Sequence, residues 1–160
     1  MTTRGNVILD PLRRTDHDGV VELMTDPEAR RYLGGPKSPA QAQESFGRFL
    51  EQSARGEVWA IRRPEDAPLL GMVFLDRHHD GTDQELSIMV RPAHWRRGYG
   101  AAAVIQLIDH AANSMGLTRL VAETQAANTP CRRLLEAVGM RLEREIIRFG
   151  EPQVIYAWQR

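Results

Sequence analysis

The segment HWRRGYGAAA, residues 94–103, sets two arginines and two glycines at the start of an alanine-rich stretch. Apolar and helix-forming residues continue through positions 101–115, so Gly98 and Gly100 stand at the entrance of a predicted helix. Backbone N–H groups have no helical partner at such an entrance, and the helix dipole favours an anion there. Glycine lets a ligand approach the backbone, and the neighbouring arginines bring charge and forked hydrogen-bond donors. The pattern therefore predicts a site for an anion of the phosphate type.

The same turn has other interpretations. A glycine turn can begin a helix without holding any ligand. Gly98, Gly100 and Ala103 also spell GxGxxA, and Glu123 then ends the next predicted strand, as in a dinucleotide-binding fold. That fold needs its first glycine almost directly after a strand, whereas residues 91–97 intervene here and the preceding strands are predicted to be antiparallel. A P-loop is excluded because the chain contains no Gly-Lys-Ser or Gly-Lys-Thr sequence.

The segment NTPCRRLLEAVGM, residues 128–140, is the second stretch with chemical content. Asn128 is an N-cap residue by type and position, and leucine and valine at helical spacing form a core face. Gly139 is suited to ending that helix as a C′ glycine. A functional interpretation places the Asn128 amide beside a ligand, with Cys131 facing the same way one turn later. The N-cap role holds under either interpretation.

Hydrophobic periodicity and turn signals predict the elements that must position these two segments. Thr15 with Asp18, and Ser38 with Gln41, have the spacing of capping boxes at helix starts. Three strands then follow through connections too short for parallel crossovers, which predicts an antiparallel meander. A helix, a strand, a helix and two closing strands complete a mixed α/β sheet, in one domain over residues 1–160. The predicted strands span 7–13, 57–63, 69–76, 85–90, 119–123, 140–149 and 153–158, with the last turn at 150–152.

Composition limits the classes of function. Of the 160 residues, 42% are hydrophobic and 26% are charged, and the formal net charge is zero. A nucleic-acid-binding domain usually carries a basic excess, so we expect no nucleic-acid partner. The single cysteine, Cys131, rules out an internal disulfide and a cysteine-based zinc site. No apolar run approaches a membrane span and residues 1–6 lack a signal peptide's apolar core, which predicts a cytoplasmic protein without a membrane partner.

Two stretches together resemble the acetyl-CoA-binding core of the GNAT N-acetyltransferase superfamily. They are ELSIMVRPAHWRRGYGAAAVIQLIDHA, which begins at Glu85, and NTPCRRLLEAVGM, which begins at Asn128. The opening stretch LRRTDHDGVVELMTDPEARRYL is similar to the RimJ/RimL type of these acetyltransferases. The family's loop has the form Gln/Arg-x-x-Gly-x-Gly/Ala, and its glycines fall on Gly98 and Gly100. The leading position falls on Trp95, a departure from the superfamily pattern that RimJ/RimL-like members often share.

The resemblance implies a GNAT fold, in which an antiparallel meander leads into a splayed parallel strand pair with helices on both faces. Acetyl-CoA would lie in the gap between the two parallel strands. Its diphosphate would meet the N–H groups of the glycine loop, and its pantetheine arm would meet the preceding strand and the asparagine of the second motif. The cofactor-binding residues implied in this way are Ile88, Met89, Val90, Arg96, Arg97, Gly98, Tyr99, Gly100, Ala101 and Asn128; no metal is implied.

The activity implied by the resemblance is acetyl-CoA-dependent N-acetyl transfer to a primary amine, directly in a ternary complex. Glu85 begins the strand before the loop, where RimJ/RimL-like sequences often carry glutamate, and it is the first candidate for the general base. A solvated strand-end carboxylate is the alternative for Glu85. Glu123 is the second candidate base, with Glu143 and Glu145 behind it. The stretch HHDG at 78–81 is expected to be a polar hairpin loop rather than a metal site.

The proton donor for the leaving thiolate is the next question. Many GNAT enzymes have tyrosine where this chain has Leu135, and many RimJ/RimL types have serine where it has Cys131. A thiol with a pKa near ~8.5 can protonate a CoA thiolate, while burial as a small filler is the commoner fate of a free cysteine. An acyl-CoA-binding sensor without turnover and an NAD-type protein are the competing functions. The sequence leaves open the amine acceptor, a longer acyl donor and assembly into a homodimer.

Overall fold

The computed structural model describes residues 6–65 and 68–160, and its strands form one mixed sheet. The strands are β1 (Ile8–Asp10), β2 (Val58–Arg62), β3 (Gly71–Arg77), β4 (Gln84–Val90), β5 (Arg119–Gln125), β6 (Arg141–Arg148) and β7 (Glu151–Gln159). The helices are α1 (His17–Thr25), α2 (Pro39–Ala54), α3 (Tyr99–Asn113) and α4 (Thr129–Ala137). The sheet order is β1-β2-β3-β4-β5-β7-β6, and every neighbouring pair is antiparallel except β4 and β5. Among the described residues, no helix is long and apolar enough to cross a membrane.

The central strands contribute side chains to two hydrophobic cores, one on each face of the sheet. Val73, Leu86 and Leu120 belong to the core that also contains residues of α3 and α4. Val58 and Met72 belong to the core formed with α1 and α2. Neighbouring residues of one strand point to opposite faces, so both faces must be covered by helices. The mixed sheet with its antiparallel meander and helices on both faces is therefore confirmed.

The predicted capping box of Thr15 and Asp18 is wrong. The chain makes a 3-10 turn over Arg14–Asp16 before α1 begins, and the first strand ends earlier than predicted. Asp16 makes the contacts at this start instead: its carboxylate accepts the Arg13 N–H at 2.7 Å, and both of its oxygens accept hydrogen bonds from the buried guanidinium of Arg62, at 2.7 and 2.6 Å. Asp16, rather than Thr15 or Asp18, therefore caps the start of the helical segment, and the same carboxylate is the partner that the buried arginine needs.

Two other boundaries follow local chemistry. The Ser38 hydroxyl accepts a hydrogen bond from the Gln41 N–H at 3.2 Å, and the Gln41 side chain accepts one from the Ser38 N–H at 3.0 Å, which confirms this capping box. The last hairpin turns at Phe149 and Gly150, with φ of 55° and 74°, rather than at 150–152. A two-residue turn with two positive φ angles matches the twist of its strands, so β7 begins directly after it.

β4 and β5 pair at a single register position in the described chain, with Glu85 opposite Val121. On its other side, β4 pairs with β3 along its whole length, from Gln84 to Val90. The gap between β4 and β5 therefore opens from Glu85 toward Val90, the end from which the chain enters the glycine loop. The splayed parallel pair that the resemblance implies is confirmed.

Candidate functional site

The loop between β4 and α3 holds its backbone donors in an open arrangement. Arg96 and Gly98 both have positive φ, 61° and 79°, with Arg97 between them outside that region. Such alternation turns successive N–H groups toward one side and makes a concave anion site. The Ala102 N–H closes the first turn of α3 by donating to the Gly98 carbonyl at 3.1 Å, and no described side chain caps the helix. The first N–H groups of α3 are therefore open to a ligand.

Trp95 anchors this loop to the end of β4. Its indole N–H donates to the Val90 carbonyl at 2.7 Å, while 40% of the residue remains exposed. The bond joins residues on either side of the turn over Pro92–His94. Tryptophan at this position therefore has a structural reason, because it holds the loop in place ahead of Gly98.

Positive charge at the loop has no nearby counter-charge within residues 6–65 and 68–160. Arg96 and Arg97 are exposed, and no described carboxylate lies within 4 Å of either guanidinium. The Nδ1 atom of His94 is buried without a hydrogen-bond partner. Burial, followed by the charges of Arg91 and Arg63, lowers the pKa of His94. Unpaired guanidinium groups and an orphaned ring nitrogen beside an open helix terminus fit a polyanion such as the CoA diphosphate.

Gly100 lies in the first turn of α3, where the missing side chain serves helix packing. A Cβ atom on Gly100 would stand 2.8 Å from Leu134 Cδ1 and 3.5 Å from Ile88 Cδ1. Leu134 of α4 thus packs into the space that a side chain at position 100 would occupy. Gly98 has a different task, since it supplies the left-handed φ at the helix entrance. The two glycines of one sequence motif are therefore required for different reasons, Gly98 for its backbone conformation and Gly100 for close packing.

β4 is a central strand whose residues remain accessible. Leu86 is its one fully buried residue, and the others are half-buried. This exposure follows from the gap on the β5 side. Ile88, Met89 and Val90, expected to meet the pantetheine arm, lie along the open part of that gap, with Ile88 and Val90 packed on the α3 face of the sheet and Met89 on the α1 face. The Val90 carbonyl already accepts the Trp95 indole, so part of its hydrogen-bonding capacity is used within the chain.

Asn128, Thr124 and Cys131 form a small polar cluster at the start of α4. The Asn128 Oδ1 accepts the Cys131 N–H at 3.3 Å, and the Asn128 Nδ2 donates to the Thr124 hydroxyl at 3.1 Å. The N-cap role predicted for Asn128 is confirmed. Burial raises the pKa of the Cys131 thiol, and a hydrogen bond with Thr124 opposes that rise. The thiol is therefore protonated at neutral pH, a state that makes it a proton donor and a poor nucleophile.

Glu85 stands at the closed end of the gap between β4 and β5. The residue is half-buried, and its carboxylate shares a hydrogen bond with the backbone of Glu123. Burial raises the pKa of Glu85 to about 7; His78 opposes the rise, while the charges of Asp76 and Glu123 add to it. A carboxylate that titrates near neutral pH is suited to general-base chemistry.

Glu123, the second candidate base, is held in a buried ion-pair network that the sequence did not reveal. Its Oε1 lies 2.8 Å from His78 Nε2, and its Oε2 accepts from Arg148 Nε at 2.8 Å. Arg148 also donates to Asp80 at 2.7 Å. Only 7% of the Glu123 side chain is exposed and both of its oxygens are engaged. The geometry therefore favours Glu85 over Glu123 as the base.

The HHDG stretch contributes to this network rather than forming only a polar loop. His78 is buried, and the possible ligand atoms of His78, Asp80 and Glu123 lie within 4.8 Å of one another, close enough to hold a metal ion. The Arg148 guanidinium donates hydrogen bonds to the carboxylates of Glu123 and Asp80, and it supplies the positive charge of this cluster. A metal ion bound there would face that positive charge at close range. The arrangement is thus a network centred on Arg148, whose members lie too far apart in sequence for spacing to join them.

Glu143 and Glu145 lie on the exposed strand β6. Arg119 donates two hydrogen bonds to the Glu143 carboxylate, at 2.6 and 2.7 Å, and these lower the pKa of Glu143. A carboxylate with a lowered pKa is a weak base at neutral pH. The structure therefore argues against Glu143 as the catalytic base.

Residues 6–141 match the family model described as "Acetyltransferase (GNAT) domain". The chain belongs to the GNAT acetyltransferase family. Among curated relatives, the uncharacterized N-acetyltransferase YoaA of Bacillus subtilis is 26% identical over 145 residues, which cover 86% of this chain and 80% of YoaA. The NAD-type alternative is wrong, because a doubly wound sheet is mostly parallel and this GNAT sheet has one parallel pair among its described strands.

Solved GNAT structures share the fold. A GNAT-family acetyltransferase from Bacillus anthracis superposes with a TM-score of 0.85 at 19% identity, covering 96% of this chain and 95% of that one. RimJ of Mycobacterium smegmatis, solved in complex with CoA-disulfide, superposes with a TM-score of 0.77 at 18% identity, covering 98% and 83%. At such identities the likeness establishes the GNAT fold, and function must be argued from the site.

Proposed function

We propose that this GNAT protein is an acetyl-CoA-dependent N-acetyltransferase of the RimJ/RimL type that transfers acetyl directly to a primary amine. The observation that carries the proposal is the position of Glu85, at the closed end of a strand gap whose other end leads to the open helix terminus. The reaction needs an amine freed of its proton and a donor held by its diphosphate. The name of YoaA and the CoA bound to RimJ support the same reaction class.

Acetyl-CoA supplies a thioester-activated acetyl group when it is bound. The N–H groups of residues 96–101, with the Arg96 and Arg97 side chains, would hold its diphosphate. The groove along residues 88–90 would take the pantetheine arm, and a backbone N–H of that strand would stabilise charge developing on the carbonyl oxygen. Asn128 keeps one Nδ2 hydrogen beyond its internal bonds for a contact with that arm.

Two side chains would manage the protons. Glu85, when ionised, takes a proton from the substrate ammonium group, directly or through one water. The amine nitrogen then forms a bond to the acetyl carbon as the carbon–sulfur bond breaks, and the electron pair of that bond goes to sulfur. The Cys131 thiol donates a proton to this sulfur, and the acylated nitrogen loses its second proton to solvent. Cys131 then regains a proton from solvent, and Glu85 releases its proton there. Glu123 and His78 would act through Glu85, by setting the charge around its carboxylate.

A non-catalytic sensor of acyl-CoA is the second candidate function. Leu135 and Cys131, which stand where related enzymes carry hydroxyl donors, are the observation that favours it. A sensor needs the cleft and the loop but no base, so the position and raised pKa of Glu85 favour the enzyme. Release of CoA in the presence of an amine distinguishes the two functions.

The cofactor part of the proposal is tested by thermal unfolding with acetyl-CoA, CoA, succinyl-CoA and NAD. A ligand that binds only the native state stabilises it by about 2.7 kcal/mol at 100 times its Kd. Acetyl-CoA is expected to raise the Tm of the wild type and to have no effect on Gly98→Trp. The double variant Arg96→Gln/Arg97→Gln keeps the backbone unchanged and tests the same loop if Gly98→Trp does not fold. A folded wild type that no CoA compound stabilises would overturn the proposal.

The transfer step is tested by following CoA release across a panel of amines. The panel contains N-terminal peptides, free lysine, amino acids, a polyamine and an aminoglycoside. Release with one class supports the enzyme and identifies its acceptor. Stabilisation by acetyl-CoA without release for any amine supports the sensor, and a larger effect of succinyl-CoA assigns a longer acyl donor.

A further inference from the structure

Apart from the gap between β4 and β5, the described residues form a second cavity, of about 370 Å³, between the α1–α2 connection and one flank of α2. Arg30 and residues 34–37 form one wall, and side chains of α2 between Gln41 and Arg48 form the other. No residue of the glycine loop or of β4 lines this cavity. It is therefore a separate feature of the fold, within the range of volumes that hold small molecules.

Three cations from different parts of the sequence converge on this cavity. Lys37, the only lysine of the chain, donates from Nζ to the Ser45 hydroxyl at 3.1 Å, and Arg48 Nη2 donates to the same oxygen at 3.3 Å. Ser45 is 1% exposed, so the two cations meet over a buried hydroxyl. Arg30 is held by a hydrogen bond from its Nε to the Gly35 carbonyl at 2.7 Å. Internal contacts thus hold all three charged groups in place.

None of these three cations has a carboxylate partner in the part of the chain that the structure describes. Glu44 also lines the cavity, yet no described carboxylate oxygen lies within 4 Å of Arg30, Lys37 or Arg48. Burial lowers the pKa of Lys37, the charges of Arg30 and Arg48 lower it further, and Glu44 opposes them. Like charges therefore face one another, and Glu44, more than 4 Å from each of them, offsets them only in part, an arrangement that an anion would stabilise.

We propose that this cavity binds a phosphate group, free or as the monoester of a small molecule, at a site distinct from the acetyl-CoA loop. Three fixed positive groups match the nearly doubly charged phosphate better than they match a singly charged carboxylate. The cavity has room for a small organic group attached to the phosphate. The phosphate site does not depend on acetyl transfer, so its test is independent of the test of the proposed function.

The test is isothermal titration of the full-length protein with inorganic phosphate at constant ionic strength. The Arg96→Gln/Arg97→Gln background weakens phosphate binding at the glycine loop, so the remaining signal reports on the second cavity. Binding is expected, and Lys37→Gln or Arg48→Gln in that background should weaken it by about tenfold or more, because each removes a charge-assisted hydrogen bond. The matched control is Arg31→Gln, next to Arg30 in sequence but outside the cavity lining, which should leave the affinity unchanged.

Three results would overturn the site: no phosphate binding, binding by Lys37→Gln and Arg48→Gln as tight as that of the Arg96→Gln/Arg97→Gln background, or acetate binding as tight as phosphate binding. Arg48 is exposed, so its variant tests the site even if Lys37→Gln does not fold, and circular dichroism checks both. Glycerol phosphate distinguishes the two sources of the phosphate group. If glycerol phosphate binds more tightly than inorganic phosphate, the ligand is a phosphate monoester. If the two bind equally, the ligand is free phosphate.

Discussion

Glu85 lies opposite Val121, and this pair is the one register position at which β4 meets β5 within the described chain. It closes the gap at the end where the candidate base stands. From there toward Val90, β4 keeps its pairing with β3 alone. The carboxylate whose pKa burial raises to about 7 therefore belongs to the residue at the closed end of this gap.

Glu85→Gln is predicted to lower kcat/KM by about 100-fold or more, the range expected when a general base is lost. Wild-type kcat/KM should rise with pH and level off above pH 7, because the base acts only when ionised and its pKa is about 7. The variant should lack that rise. Initial rates across this pH range measure it, with Glu143→Gln as a control that keeps the wild-type profile. A rise retained in Glu85→Gln would show that another group titrates.

Ionisation of Glu85 is predicted to destabilise the fold. Its pKa rises from 4.5 to about 7 on folding, so the native state binds more protons between these pH values. The stability that protonated Glu85 contributes is fully present below its pKa in the unfolded chain. That stability is lost as the pH rises through its pKa in the folded protein. At pH 8, the free energy of unfolding of Glu85→Gln should exceed that of the wild type by at most about 3 kcal/mol. At acidic pH the two free energies should be equal. Urea unfolding measures this, and an equal gain at both pH values would contradict it.

Cys131→Ala is predicted to lower kcat by about 100-fold or more with KM unchanged, because it removes a thiol that burial keeps protonated at neutral pH and so able to donate. Cys131→Ser keeps a donor of similar size and should retain most of kcat. Steady-state kinetics with a saturating amine measure both variants. A loss of Tm in Cys131→Ala without a loss of kcat would instead assign the thiol to packing.

Gly100→Val is predicted to destabilise the protein by about 1–3 kcal/mol, because the new side chain would overpack against Leu134. Gly47→Val is the matched control within α2, since a Cβ atom there meets nothing within 4 Å. The control should leave the free energy of unfolding unchanged or raise it slightly. Equal losses for the two variants in urea unfolding would refute the packing argument.

Arg62→Met is predicted to destabilise the protein by about 3–5 kcal/mol, since it leaves a buried carboxylate without its partner. Arg62 is 2% exposed and bonds to Asp16 at 2.7 and 2.6 Å and to Asp10 at 3.0 Å. Arg55→Met breaks an exposed ion pair and should leave the unfolding midpoint nearly unchanged. Chemical denaturation compares the two, and similar midpoints would contradict the prediction.

Features that depend on neighbouring residues were predictable from the sequence. The Ser38 capping box and the Asn128 cap join residues three positions apart, so the sequence pattern alone predicts these hydrogen bonds. The meander was predictable because short connections permit only antiparallel pairing. The start of α1 was predicted wrongly because Asp16, rather than Thr15 with Asp18, makes the cap, and Asp16 also binds Arg62, 46 residues away. No local pattern contains such a partner.

The sequence by itself determined the mixed sheet, the open N-terminus of α3 and the candidacy of Glu85, since these follow from periodicity, glycine placement and motif. The tertiary structure decided how buried each candidate carboxylate is and which partners it has. It joined Glu123 to His78, 45 residues away, and to Arg148, 25 residues away, and left Glu85 at the closed end of the gap. It also brought Lys37 and Arg48 onto one buried hydroxyl. Burial and charge depend on which distant segments pack together, so only the folded chain assigns them.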